Sequence, residues 1–191
     1  MRRVWGALLV AAAVLVGGCS DGGQAAAPVE PSGIELPPRP RDVRIDGVDP
    51  CSLLTEEQRT RLGLDRPPVF DLGPSLLYPG ADIPACLIQG YEPRAVSVGL
   101  SIVTIAGIEL FTSGGLAAAV RPVQTHGFPA VVAVPTRFTS YCTVVVDVAP
   151  GQLLDVQFAD GGRQPPIPQP QLCQNAEQTA DAVMETLLAS R

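Results

Sequence analysis

Five cysteines and a single histidine carry most of the chain's capacity for reactive chemistry. Cys51, Cys86, Cys142 and Cys173 lie 35, 56 and 31 residues apart, with no C-x-x-C among them. A zinc ribbon or a thioredoxin-type dithiol needs cysteines two residues apart, so neither a metal site nor a redox pair is expected. Thiols at such spacings in an exported chain pair as disulfides by default. Four cysteines allow three pairings. Loop-closure entropy does not choose between them, since it gives about 4 kcal/mol per loop for the sequential pairing and about 5 for the longest alternative. Topology favours Cys51–Cys86 and Cys142–Cys173, because each bridge then pins a helix start to a strand.

Cys19 stands apart from these four. It closes "MRRVWGALLVAAAVLVGGC", in which Arg2 and Arg3 form a positive head and Val4 to Val16 an apolar run. The run is short of the roughly 20 residues that cross a ~30 Å hydrocarbon core, so it reads as an export leader over residues 1–18. Val16-Gly17-Gly18-Cys19 resembles a bacterial lipobox, an aliphatic residue and two small ones before a cysteine that becomes lipidated. A diacylglyceryl group brings two chains, which is what stable anchoring takes. Cys19 is therefore expected to hold the chain at the extracytoplasmic face of the cell membrane.

The remaining candidates for catalysis are weak. His126 sits in "VQTHGFPA", where a turn leads into a strand, and no G-x-S-x-G elbow offers it a nucleophile. Thr112-Ser113-Gly114-Gly115 is glycine-rich but lacks the lysine of a phosphate cradle. Asp147 and Asp155 could face each other across a hairpin as an acid pair, although on exposed strands they read as solvated charges. Asp21, Glu30 and Asp42 show no metal-ligand spacing. No catalytic residue, cofactor or metal is assigned, and the chain is not expected to be an enzyme.

The elements that would position these residues begin after a tether. Residues 19–47 are rich in proline and glycine with no hydrophobic period, and Arg39, Arg41 and Arg44 read as solubilising charges. As 28 residues beyond Cys19 this tether would reach roughly 30 Å as a coil and about 90 Å fully extended. The globular domain is expected over residues 48–191. Thr55 and Gln58 form a capping box for a short helix that Gly63 stops, with Leu53, Leu54 and Leu62 inward. A proline-broken loop follows, and then five stretches with strand composition: "ACLIQGY", "AVSVGLSIVTI", "AVVAVP", "YCTVVVDVA" and "QLLDVQFAD". "GIELFTSGGLAAAV" reads as loop with a helical turn. Pro150-Gly151 marks a tight turn between the last two strands. Ala176, Ala180, Val183, Met184, Leu187 and Leu188 recur at helical spacing to the C-terminus. The expected class is α+β: an antiparallel sheet of about five strands with a short N-terminal and a longer C-terminal helix packed on one face, and two disulfides.

Composition narrows the partners. Hydrophobic residues make up 46% of the 191, enough for a core, but only 5% are aromatic. All 13 basic residues are arginines; without Arg2 and Arg3 the balance is 11 against 19 acidic residues, or −8. An acidic body without an arginine cluster argues against nucleic acid as a partner, and against adhesion of the folded surface to anionic lipid.

"DPCSLLTEEQ", a second cysteine opening a strand, "GFPAVVAV", "CTVVVDVAPGQLLDVQF" and "LCQNAEQTADAVMETL" resemble the actinobacterial lipoproteins grouped as domain of unknown function 3558. The resemblance spans about residues 48 to 189, with the order of the four cysteines its most specific part. It implies an exported lipoprotein with no established activity. Family members often carry Trp two residues after the second cysteine, where this chain has Ile88. The expected function is a non-catalytic binding or interaction module at the cell envelope, engaging an envelope protein, a lipid or a cell-wall ligand. The alternative is a hydrolase-like envelope enzyme with an unrecognised site.

Overall fold

A computed structural model describes residues 33–91, 93 and 95–191. The leader, Cys19 and the chain through residue 32 lie outside the described residues.

The first helix, α1 (Glu56–Arg61), has the capping box expected of its sequence. The Gln58 backbone N–H donates to Thr55 Oγ1 at 3.2 Å, and Gln58 Oε1 accepts from the Thr55 N–H at 2.8 Å. Glu56 and Glu57 in the first turn and Arg59 and Arg61 in the last both complement the helix dipole. Gly63 ends the helix with φ +75°, a conformation glycine adopts without strain. A 3-10 turn at Pro50–Ser52 precedes it, capped by Asp49. The buried Gln58 side chain also reaches the long helix α3 (Gln169–Ala189), donating to the Ala182 carbonyl and accepting from the Thr186 hydroxyl.

Seven strands form one antiparallel sheet: β1 (Val69–Pro74), β2 (Asp82–Gln89), β3 (Ser97–Val103), β4 (Ala118–Thr125), β5 (Phe128–Pro135), β6 (Tyr141–Ala149) and β7 (Gln152–Ala159). Their spatial order is β1-β2-β3-β7-β6-β5-β4. The five strands expected from composition are β2, β3, β5, β6 and β7, the interior of the sheet. The count of five was too low because β1 and β4, its two edges, carry no readable strand pattern. β1 is exposed nearly throughout and follows two prolines, and β4 contains Pro122, which an edge tolerates because no neighbour needs its missing N–H. β4 and β5 join through His126 and Gly127, with φ of 49° and 79°, the two positive values of a type I′ hairpin turn. Between β6 and β7 the pairing slips at Asp147/Ala149, leaving Val148 as a bulge.

Both faces of the sheet are covered, which corrects the expected single helical layer. On the first face α3 and the N-terminal turns enclose Val98, Leu100, Val132, Val144, Val146, Val156 and Phe158. On the second, α2 (Glu109–Thr112) and the loops around it bury Val131, Ala133, Val145 and Leu153 against Ile108, Phe111 and Tyr78. The unbroken apolar runs of β5 and β6 follow, because neighbouring residues enter opposite cores. Ile88 is fully buried in the first core, so the position is an interior one and not part of a ligand-stacking surface.

The expected tether boundary at residue 47 is also overturned. Residues 33–47 form a strap laid along the domain. The Ile34 N–H donates to the Thr112 carbonyl at 3.0 Å, and Leu36 packs on the second core. The Val43 N–H donates to the bulged Val148 carbonyl at 2.7 Å, and the Ile45 N–H to Gln152 Oε1 at 2.9 Å. Val43 and Ile45 are buried at 3% and 0% exposure. Arg39 is no loose charge: it donates to Asp147 at 2.5 Å and to Asp42 at 3.0 Å.

Candidate functional site: an apolar groove on the second face

The residues singled out for chemistry are dispersed. Cys51 is joined to Cys86 with Cα atoms 5.1 Å apart, and Cys142 to Cys173 at 4.9 Å. The first bridge ties the 3-10 turn to β2, and the second ties the first turns of α3 to β6. His126 stands in the β4–β5 turn with Nε2 3.1 Å from the Asp181 backbone carbonyl, while the Thr125 hydroxyl donates directly to the Asp181 carboxylate. A hydroxyl, an imidazole and a carboxylate thus meet here without forming a relay, since the imidazole does not touch the hydroxyl. What they do is fasten the hairpin turn to α3.

Asp147 and Asp155 share the second face, on β6 and β7, but each is engaged elsewhere. Asp147 pairs with Arg39; burial raises its pKa above the ordinary aspartate value, opposed by Arg39's hydrogen bond and charge. Asp155 accepts from the Tyr78 phenol at 2.7 Å. Burial pushes its pKa to about 6, opposed by that hydrogen bond. Tyr78 is raised in turn, by burial first and then by Asp155's charge. Register places Val145 opposite Asp155 and Leu153 opposite Asp147, so the two carboxylates sit diagonally, with no shared proton or partner. Among the described residues no group of three or more His, Cys, Asp or Glu side chains is placed to hold a metal ion.

What the second face does form is a groove of about 230 Å³. Its floor is Ala133 and Pro135 of β5 with Tyr141 and Thr143 of β6; its walls are Phe111 of α2, Leu116 to Ala118, and Leu77 from the β1–β2 loop. The hollow has a compositional cause. Ala117, Ala118 and Ala133 stand where larger side chains would fill the space, and Gly114, at φ +80°, turns the chain between α2 and β4. The Thr136 N–H and hydroxyl both donate to the Ala117 carbonyl, at 3.1 and 3.0 Å, holding that wall to the end of β5. Phe138, 60% exposed, stacks on Tyr141 with ring centroids 6.3 Å apart. Arg137 is the one formally charged residue in the lining and makes no ion pair among the described residues. Ala117, Arg137 and Phe138 are exposed, so the groove opens to solvent.

Sequence reasoning missed this site. Its residues come from four separated stretches, and none forms a motif. The nearest signal was the alanine run 117–119 after two glycines, too small in side chain for a core helix.

The chain belongs to the family described as "Protein of unknown function (DUF3558)", whose model matches residues 14–186. No curated protein and no solved structure matches it.

Proposed function

We propose that this member of the family is an exported lipoprotein of the actinobacterial type, acylated at Cys19, whose domain serves as a non-catalytic binding module on the outer face of the cell membrane. The observation that carries the binding half is the groove: an apolar hollow open to solvent, lined by a single charge. Small-molecule binding sites have this character, mostly apolar walls with a few polar groups that set orientation. A catalytic site would need a nucleophile, a base or paired acids converging on one point, and the candidates named from the sequence are bonded apart from one another. The anchoring half rests on the leader and on Val16-Gly17-Gly18-Cys19.

Expression in an actinobacterial host tests the anchor. Wild type should fractionate with membranes and yield an N-terminal peptide carrying a diacylglyceryl-modified Cys19. Cys19→Ala should accumulate as uncleaved precursor or escape to the medium. Retention and processing like wild type would refute the assignment.

A further inference from the structure

We infer that the groove takes a single-chain acidic amphiphile, a fatty-acid-like molecule, with its tail along the alanine-lined hollow and its head at Arg137. The inference deepens the binding-module reading and rests on it. Size decides the number of chains. Sites for drug-sized ligands run to about 300–1,000 Å³, and a hollow of about 230 Å³ lies below that range, so it admits one slender tail and not a two-chain lipid. The tail is chosen by Leu77, Phe111 and Leu116, which offer no hydrogen-bonding side-chain atom.

Charge decides the head. The chain is acidic by a net −6, which by itself favours cations. The groove reverses this locally, because its one charge is the guanidinium of Arg137, exposed and without an ion-pair partner among the described residues. A carboxylate head can take the paired N–H donors of that planar group. The strap adds access. Its Ile34–Thr112 hydrogen bond places the incoming chain at the end of α2, the helix whose Phe111 walls the groove. Ile34 lies fifteen positions after Cys19, a stretch that spans at most about 50 Å. With Cys19 acylated, Ile34 stays within that distance of a membrane that supplies such amphiphiles.

The test uses the mature polypeptide from Ser20 onward, exported and oxidised but without the acylated cysteine. It is titrated with cis-parinaric acid and with the methyl ester of that acid, below the concentrations at which either aggregates. Saturable one-site binding of the acid is expected, with the ester about fivefold weaker, the discrimination an exposed ion pair supplies. Arg137→Gln should reduce acid binding to the level of the ester. Ala117→Trp, at an exposed lining position, should abolish both without lowering the melting temperature. Should the tryptophan disturb folding, Arg137→Gln alone still decides. Absence of saturable binding by the folded wild type overturns the proposal, as does undiminished binding by a folded Ala117→Trp. Equal affinity for acid and ester overturns the acidic head. Because no acyl group is present, this result and the fate of Cys19→Ala can each fail without the other.

Discussion

Asp155 is the residue where packing and pH meet most directly. It retains some surface, yet burial raises its pKa from 3.8 to about 6 while the Tyr78 phenol donates to it. A carboxyl whose pKa is higher in the folded than in the unfolded chain binds more protons when folded. Its contribution is complete below pH 3.8 and is lost as pH rises through 6. A shift of two units corresponds to up to about 3 kcal/mol. Asp155→Asn keeps an acceptor for Tyr78 and removes the charge. Urea unfolding at pH 7.5 should find the variant more stable than wild type by up to about 3 kcal/mol, and at pH 4 the difference should shrink toward zero. A difference independent of pH would mean that Asp155 is solvated in the folded state. Neither the pKa nor the Tyr78 contact was legible in the sequence. Tyr78 lies in a loop 77 residues upstream, and an aspartate in a hairpin strand reads as solvent-facing by default.

At the scale of elements, legibility followed position in the sheet. β5 and β6 announce themselves because residues buried on both sides are drawn mostly from Val and Ala, and β7 because buried Leu154, Val156 and Phe158 alternate with Asp155 and Gln157. β1 has one neighbour and exposed faces, so nothing constrains Val69, Phe70 and Leu72 to alternate. The strap was hidden for a related reason. Its inward residues Val43 and Ile45 do alternate, but only across three positions beside prolines and charges, too short a run to separate from chance. Its energetics are nevertheless those of a core element. Ile45→Ala should cost about 2–4 kcal/mol, as for other fully buried isoleucines, and a chain beginning at Val48 should lose more, with the Arg39–Asp147 pair and the hydrogen bonds of the Ile34, Val43 and Ile45 N–H groups gone. Thermal unfolding of both reads this out. A truncated domain as stable as the full one would show that the strap is laid on without being part of the fold.

The described domain is one sheet between two apolar cores, held by two crosslinks of similar loop length, 35 and 31 residues. Each should supply about 2–5 kcal/mol, mostly by restricting the unfolded chain, against a total of about 5–15 kcal/mol for a domain of ordinary stability. Reduction should therefore unfold or nearly unfold it, and Cys142→Ser should match Cys173→Ser in denaturant midpoint. A domain that stays folded under reductant while losing ligand binding would instead make the cysteines a redox device. The α+β class and the long C-terminal helix could be read from periodicity alone. The second core could not, because what covers its sheet face comes from loops and the short α2, whose apolar residues are scattered one or two at a time.

The strap also determines how the domain answers a pull from its N-terminal side. Load arriving at residue 33 meets its attachments in series: first Ile34 on Thr112, then Arg39 on Asp147, then Val43 and Ile45. Each can peel away singly, like stitches drawn from a hem. Unravelling then meets Cys51, whose covalent bond to Cys86 passes the force into β2 inside the sheet. Peeled free, residues 33–50 reach at most about 60 Å from Cys51 before the seam locks, leaving the groove-bearing sheet intact behind a sulfur stop.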